Sequence, residues 1–182
     1  MSNSEGNNGF LNDIYQRSQR HSLGWIWVVF LFLEFALGEF FISSDIIEIF
    51  WYLGLIFLLT GVILVPVPFI YFPRKGKVPK GKSFFHTTKL VDSGIYELVR
   101  HPQHLGWINI LFSFVLMKQH WIITICGILG IFLLYYTTVE EDKLLIRKFG
   151  DDYRKYMNSV PRLNLFLGII RFIRRRRVSS RT

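Results

Sequence analysis

Apolar residues fall in four blocks along the 182-residue chain, at 24–42, 49–72, 105–117 and 121–138, and charge hardly enters them. The first, second and fourth run 19, 24 and 18 residues. At 1.5 Å per residue each suits a helix crossing a hydrocarbon core of about 30 Å. The third has only 13 residues and reaches roughly 20 Å, too short to span alone. It either extends back through Pro102 or folds as a helical hairpin with the fourth block around Lys118-Gln119-His120. The short connection favours the hairpin. Pro66 and Pro68 predict a break or kink near the end of the second block.

The segments between and after the blocks are polar. Residues 1–23 read as a flexible tail, with a short helix at 12–20. The connector 73–100 carries Arg74, Lys75, Lys77, Lys80, Lys82 and Lys89; Ser93-Gly94 reads as a turn and 95–99 as a short ordered piece before Pro102. Beyond the fourth block, Glu140-Glu141-Asp142 opens a charged segment in which Leu145, Phe149, Tyr153 and Tyr156 recur at helical spacing. That spacing predicts an amphipathic helix on the membrane face or capping the bundle. Pro161 interrupts it. Residues 163–173 form a further short apolar piece, followed by Arg174, Arg175, Arg176 and Arg177, which reads as an interfacial anchor held by acidic lipids.

The fold class is therefore all-α: a polytopic membrane helical bundle of four apolar helices, including a helical hairpin, with a cytoplasmic C-terminal amphipathic helix. It divides into the tail 1–23, two transmembrane helices over 24–72, a region 73–163 built on the hairpin, and a basic interfacial tail 164–182. Composition agrees, with 51% hydrophobic and 17% aromatic residues. A net charge of +9 could suggest nucleic acid, but the basic residues lie beside apolar blocks, which excludes nucleic acid as a partner and points to acidic lipid head groups. Charge also sets the orientation. With the amino terminus cytoplasmic, the external loops 43–48 and 118–120 hold one of the 22 Lys and Arg residues, so both termini are expected in the cytoplasm. Trp25, Trp27, Trp51, Trp107 and Trp121 lie near block ends, as interfacial aromatics do. Cys126, the single cysteine, lies inside a block and reads as packing, with no metal-ligand cluster in view.

Two groups of polar residues stand where the hairpin enters and leaves the membrane: Tyr96, Arg100, His101 and His104 before it, Glu140 and Glu141 after it. A hairpin brings its ends together, so residues 40 apart become neighbours. Taken singly, the His-Pro pair marks a helix entry and the acidic pair marks where a helix meets water. Together, a carboxylate, histidines and an apolar vestibule could hold a small zwitterionic cofactor from the water side while a lipid reacts from the membrane. Glu34 stands apart as a carboxylate ten residues into a spanning helix, which costs about 2.5–3.5 kcal/mol unless it faces a bundle interior or cavity.

The run LVxSGxYxxxRHPxxxG at 90–106, Glu140-Glu141, Phe149-Gly150 with Tyr153 and Tyr156, and Val160-Pro161-Arg162 together resemble the carboxy-terminal half of the isoprenylcysteine carboxyl methyltransferase family and the related phospholipid N-methyltransferases. The likeness covers about 88–163. It implies a membrane enzyme that moves a methyl group from S-adenosyl-L-methionine to a lipid or prenylated substrate. By position, Thr88, Lys89, Leu90, Val91, Tyr96, His101, Pro102, Gln103 and His104 would line the cofactor, Glu141 would hold its ammonium, and Glu140 would support Glu141. Arg162 either serves the fold or meets substrate or lipid phosphate. Two positions depart from the family: His104 stands where Tyr is usual, and Thr137 where one branch has an Arg thought to meet the substrate carboxylate. The second weakens the case for a prenylcysteine carboxylate acceptor.

Methyl transfer from a sulfonium is an in-line displacement, for which positioning and desolvation supply most of the barrier reduction. A carboxylate or thiolate acceptor needs no base. An amine must first lose a proton, and His104, with an unperturbed pKa near ~6.5, is then the general base. Phospholipid N-methylation is the alternative within this chemistry. A non-catalytic membrane anchor is the alternative outside it, and reduction of a sterol-like double bond a distant third.

Overall fold

A computed structural model of the chain describes residues 23–41, 45–80 and 87–179. The expected helix at 12–20 lies outside them. Seven α-helices form among the described residues: α1 (Leu23–Phe40), α2 (Glu48–Leu64), α3 (Val67–Lys75), α4 (Pro102–Lys118), α5 (Trp121–Phe149), α6 (Asp151–Ser159) and α7 (Leu165–Ser179), with a 3-10 turn at Gly94–Glu97 before α4. Among the described residues, two stretches are long and apolar enough to cross a membrane, Glu48–Lys75 and Trp121–Phe149. The all-helical reading holds, and the break at Pro66 falls between α2 and α3.

The hairpin is α4 and α5. Pro102 is the first residue of α4, where its missing N–H costs nothing. The helix therefore begins three residues before the apolar block and reaches 17 residues, so the extension and the hairpin occur together. Gln119 ends α4 in the left-handed region at φ 48°. His120 starts α5, its Nδ1 accepting from the Ile122 N–H at 3.3 Å. The turn is also clipped to the start of α2. Ile47 N–H donates to Gln119 Oε1 and Gln119 Nε2 donates to Ile47 C=O, both at 2.9 Å.

Helix α2 packs along α4, and α1 along α5. Small residues permit this: a Cβ at Gly61 would stand 2.7 Å from the Gly106 carbonyl oxygen, and one at Gly106 2.9 Å from that of Gly61. Such pairs let helix backbones approach where lipid offers no hydrophobic drive. Glu34 is fully buried between α1 and α5, and neither carboxylate oxygen has a hydrogen-bond partner. The missing side chain of Gly127 makes its room, since a Cβ there would lie 2.5 Å from Glu34 Oε1.

One boundary differs from expectation. Helix α5 runs unbroken through Glu140-Glu141-Asp142 to Phe149 and ends only at Gly150, φ 59°. The charged residues thus continue the apolar helix rather than opening a new one, because nothing before Gly150 breaks the backbone. The short α6 follows as a separate helix, with Tyr153 and Tyr156 buried. Helix α7 then folds back against the 3-10 turn: a Cβ at Gly168 would fall 1.8 Å from the Leu98 carbonyl oxygen. Arg175, within the basic run, donates to the carbonyls of Glu97 at 2.8 Å and Ser159 at 2.9 Å. It is a structural tie, while Phe166, Ile169 and Ile173 on the same helix are exposed.

Candidate functional site

Four segments meet at one end of the bundle: the 3-10 turn, the start of α4, the last turns of α5, and the extended link after α6. The link runs beside the entry to α4, where Arg100 N–H donates to Pro161 C=O at 3.0 Å and His101 N–H to Arg162 C=O at 3.2 Å. These two bonds explain why the Arg-His-Pro and Val-Pro-Arg motifs belong together. Pro161 and Pro102 lack an N–H of their own, and both segments are extended or turning, so their carbonyls and N–H groups need partners outside a helix.

Asp142 is the hub of this end. It is almost fully buried and surrounded by donors. Oδ1 accepts from Arg100 Nη1 at 3.1 Å, from the Tyr153 hydroxyl, and pairs with His101 Nε2 at 2.9 Å. Oδ2 accepts from Arg162 Nε at 2.7 Å. One carboxylate thereby ties α4, α5, α6 and the link, and a buried charge so paired is stable where a lone one is not.

His101 faces a carboxylate on both sides, with Nδ1 3.1 Å from Glu141 Oε2. Two donors are needed for that, which only the imidazolium has. Burial alone would lower its pKa, but the hydrogen bonds to Asp142 and Glu141 and their negative charge outweigh it, and the pKa lies above the ordinary histidine value.

Glu141 stands one residue before Asp142 yet is quite different. Its side chain is 41% exposed, against 3% for Asp142. Beside it lies His104, whose Nδ1 is 3.6 Å from Glu141 Oε2, too long for a hydrogen bond. That nitrogen is buried and has no hydrogen-bond partner. The corner formed by His101, His104 and Glu141 is thus polar, partly open and unsatisfied.

A family model described as phospholipid methyltransferase matches residues 49–152, from α2 to the first turn of α6. The chain belongs to the phospholipid methyltransferase family. Among curated relatives, the protein-S-isoprenylcysteine O-methyltransferases of Homo sapiens and Mus musculus are each 34% identical over 88 residues, 46% of this chain and 29% of theirs. The aligned stretch spans less than a third of the length of these relatives.

The other residues expected at a methyltransferase site are spread over several surroundings. Thr88, Lys89 and Leu90 line a cavity of about 580 Å³ together with Lys77, Phe149 and Tyr156. Val91 and Tyr96 are buried against Val67, and the Tyr156 hydroxyl donates to the Tyr96 carbonyl at 2.7 Å. Helix α6 therefore borders the cavity through Tyr156 and reaches Asp142 through Tyr153, one turn away. Pro102 is buried and Gln103 half-buried at the start of α4. Glu140 pairs with Lys143 at 2.7 Å, with its side chain partly exposed like that of Glu141. Arg162 is held at both ends, by Asp142 and, through Nη1, by the Tyr135 hydroxyl at 3.1 Å.

The sequence does not single out Asp142, Tyr153 enters only as a pattern residue, and Arg100 stands in the polar cluster without an assigned partner. A signal existed. Three consecutive acidic residues on a helix span about 200° of its circumference, so they cannot all share one face and one environment. Arg100, placed where the chain turns into the bundle, required a carboxylate partner there.

Proposed function

We propose that this chain is an integral-membrane methyltransferase that uses S-adenosyl-L-methionine and acts on a lipid-borne acceptor at the cytoplasmic membrane face. The observation that carries the reading is the contrast between the saturated Asp142 and the open corner beside it, in a chain of a methyltransferase family. Glu141 offers negative charge to the donor's ammonium, and the unpartnered Nδ1 of His104 offers a further polar contact. The cavity lined by Thr88, Lys89 and Leu90 is within the range of about 300–1,000 Å³ that small-molecule sites occupy.

When bound, S-adenosyl-L-methionine supplies a methyl group activated on a sulfonium. The chain's part is to bind, orient and exclude water. Protonated His101 fixes the orientation of Glu141, and Asp142 fixes His101. His104 takes the proton of an amine acceptor, whereas a carboxylate or thiolate acceptor needs none. Arg162 presents cationic character toward the acceptor's carboxylate or phosphate. Four crossings by α1, α2, α4 and α5, with both termini cytoplasmic, follow from the charge asymmetry. The exposed apolar side of α7 and its outer arginines rest on acidic lipid.

The acceptor is an isoprenylated cysteine carboxylate or an amino-phospholipid. The name of the aligned relatives favours the first; Thr137, in place of the carboxylate-binding Arg, favours the second. Incubating the purified chain with methyl-labelled donor and vesicles carrying either a farnesylcysteine analogue or phosphatidylethanolamine decides between them. Label in one lipid establishes the reaction and names the acceptor. No label in either, from protein that binds the donor product, would overturn catalysis on these two classes.

A further inference from the structure

The ion pair between His101 and Glu141 accounts for two of the three groups in the open corner. It leaves His104 unexplained. Its side chain is 12% exposed, its Nδ1 is buried without a hydrogen-bond partner, and it points at the same carboxylate oxygen that His101 meets. A buried imidazole nitrogen left unpaired costs free energy that a ligand would recover.

We propose that His101, His104 and Glu141 form a binding site for a zinc-class divalent ion, and that this ion and the methyl donor exclude one another. One ligand atom from each residue lies within 4.8 Å of the other two. Glu141 Oε2 is 3.1 Å from His101 Nδ1 and 3.6 Å from His104 Nδ1. A tetrahedral ion with bonds of 2.0–2.1 Å has ligands about 3.4 Å apart, so these two edges are already near that length. The ligands come from two elements, His101 and His104 at i and i+3 from the start of α4 and Glu141 from α5, whose packing sets the spacing. Two imidazoles and one carboxylate suit zinc, and three protein ligands leave its fourth position open.

The surroundings are those of a metal site. Asp142 Oδ1 meets the far nitrogen of His101 at 2.9 Å, the carboxylate–histidine arrangement that fixes the tautomer and ring orientation of a ligating imidazole. Asp142 is in turn held by Arg100, Tyr153 and Arg162. The mutual exclusion, which rests on the donor reading, follows because Glu141 cannot hold both an ammonium and a metal cation.

The test is zinc titration of the full-length, detergent-purified, chelator-treated chain against a chromogenic chelator, with S-adenosylhomocysteine calorimetry on the same preparation. One equivalent of zinc is expected, weakened at least tenfold in His104→Tyr and in Glu141→Gln, and competed by S-adenosylhomocysteine. Zinc-edge X-ray absorption of the unmutated protein is expected to show scattering from two imidazoles, which tests the site even where a variant does not fold. Absence of stoichiometric zinc, affinity unchanged in the folded variants, or an edge without imidazole scattering would overturn the site. Zinc uptake without S-adenosylhomocysteine binding upholds the site and overturns the donor reading. S-adenosylhomocysteine binding without zinc does the reverse, and simultaneous independent binding of both overturns the exclusion.

Discussion

Glu141 and Asp142 are neighbours on one helix and have opposite environments. Asp142 points into the seam between α4, α5 and α6 and receives Arg100, His101, Tyr153 and Arg162. Glu141, turned by one residue, meets only the rim of that seam, with His101 bonded and His104 just out of reach. A saturated carboxylate holds structure and has nothing left to offer a ligand. The half-exposed one beside it gives the fold little and keeps its charge available. Burial and partner count, rather than residue type, separate the two roles.

The comparison breaks first at Asp142. Asp142→Ala leaves Arg100 and Arg162 without their buried anion, and a loss of about 3–5 kcal/mol is expected, read as a collapse of melting temperature or of yield in detergent. A variant with wild-type stability would show that the hub does not hold these helices. Next is Gly168→Ala, whose new methyl meets the Leu98 backbone. The clash should lift α7 from the 3-10 turn and cost about 1–3 kcal/mol, with faster proteolysis within α7 as the marker.

Glu141→Gln sharpens the contrast. Its stability should change by less than about 1 kcal/mol, while S-adenosylhomocysteine affinity falls at least tenfold. Smaller still is the pH effect at His101. Its folded pKa is raised by Asp142 and Glu141, so its contribution is complete below the unfolded value near ~6.5 and fades as pH rises through the folded value. Melting temperature should therefore decline from about pH 6.5 upward, and His101→Asn should flatten that decline. Glu140 pairs with Lys143 on a partly exposed part of the helix: Glu140→Gln should cost far less than Asp142→Ala, and a loss as large would show that orientation does not sort the three carboxylates.

Much of the fold was legible because block length and periodicity carry it. The hairpin turn, the break at Pro66 and the entry at Pro102 all follow from local chemistry. The continuation of α5 was harder to see, because hydropathy changes sign at Glu140 while the backbone does not notice until Gly150. For the site, the hairpin explains why His101 and His104 stand beside Glu141, whereas Arg162 reaches them from the link after α6. What the motifs could not give was the pairing of Arg100 and His101 with Pro161 and Arg162, a contact 61 residues distant for each pair. Nor could they say which acidic residue faces inward, a matter of helix phase within the bundle. Glu34 is a case where sequence and structure agree on burial inside the bundle, with Gly127 making its space.

Glu141, and not Asp142, is expected to meet the methyl donor. Calorimetric titration of S-adenosylhomocysteine into detergent-purified protein, wild type beside Glu141→Gln, tests it most directly, with melting curves on both samples. The account predicts binding to wild type and a loss of at least tenfold, about 1.4 kcal/mol, in a variant that melts like the parent. Equal affinity in the two, or no binding by folded wild-type protein, would contradict it.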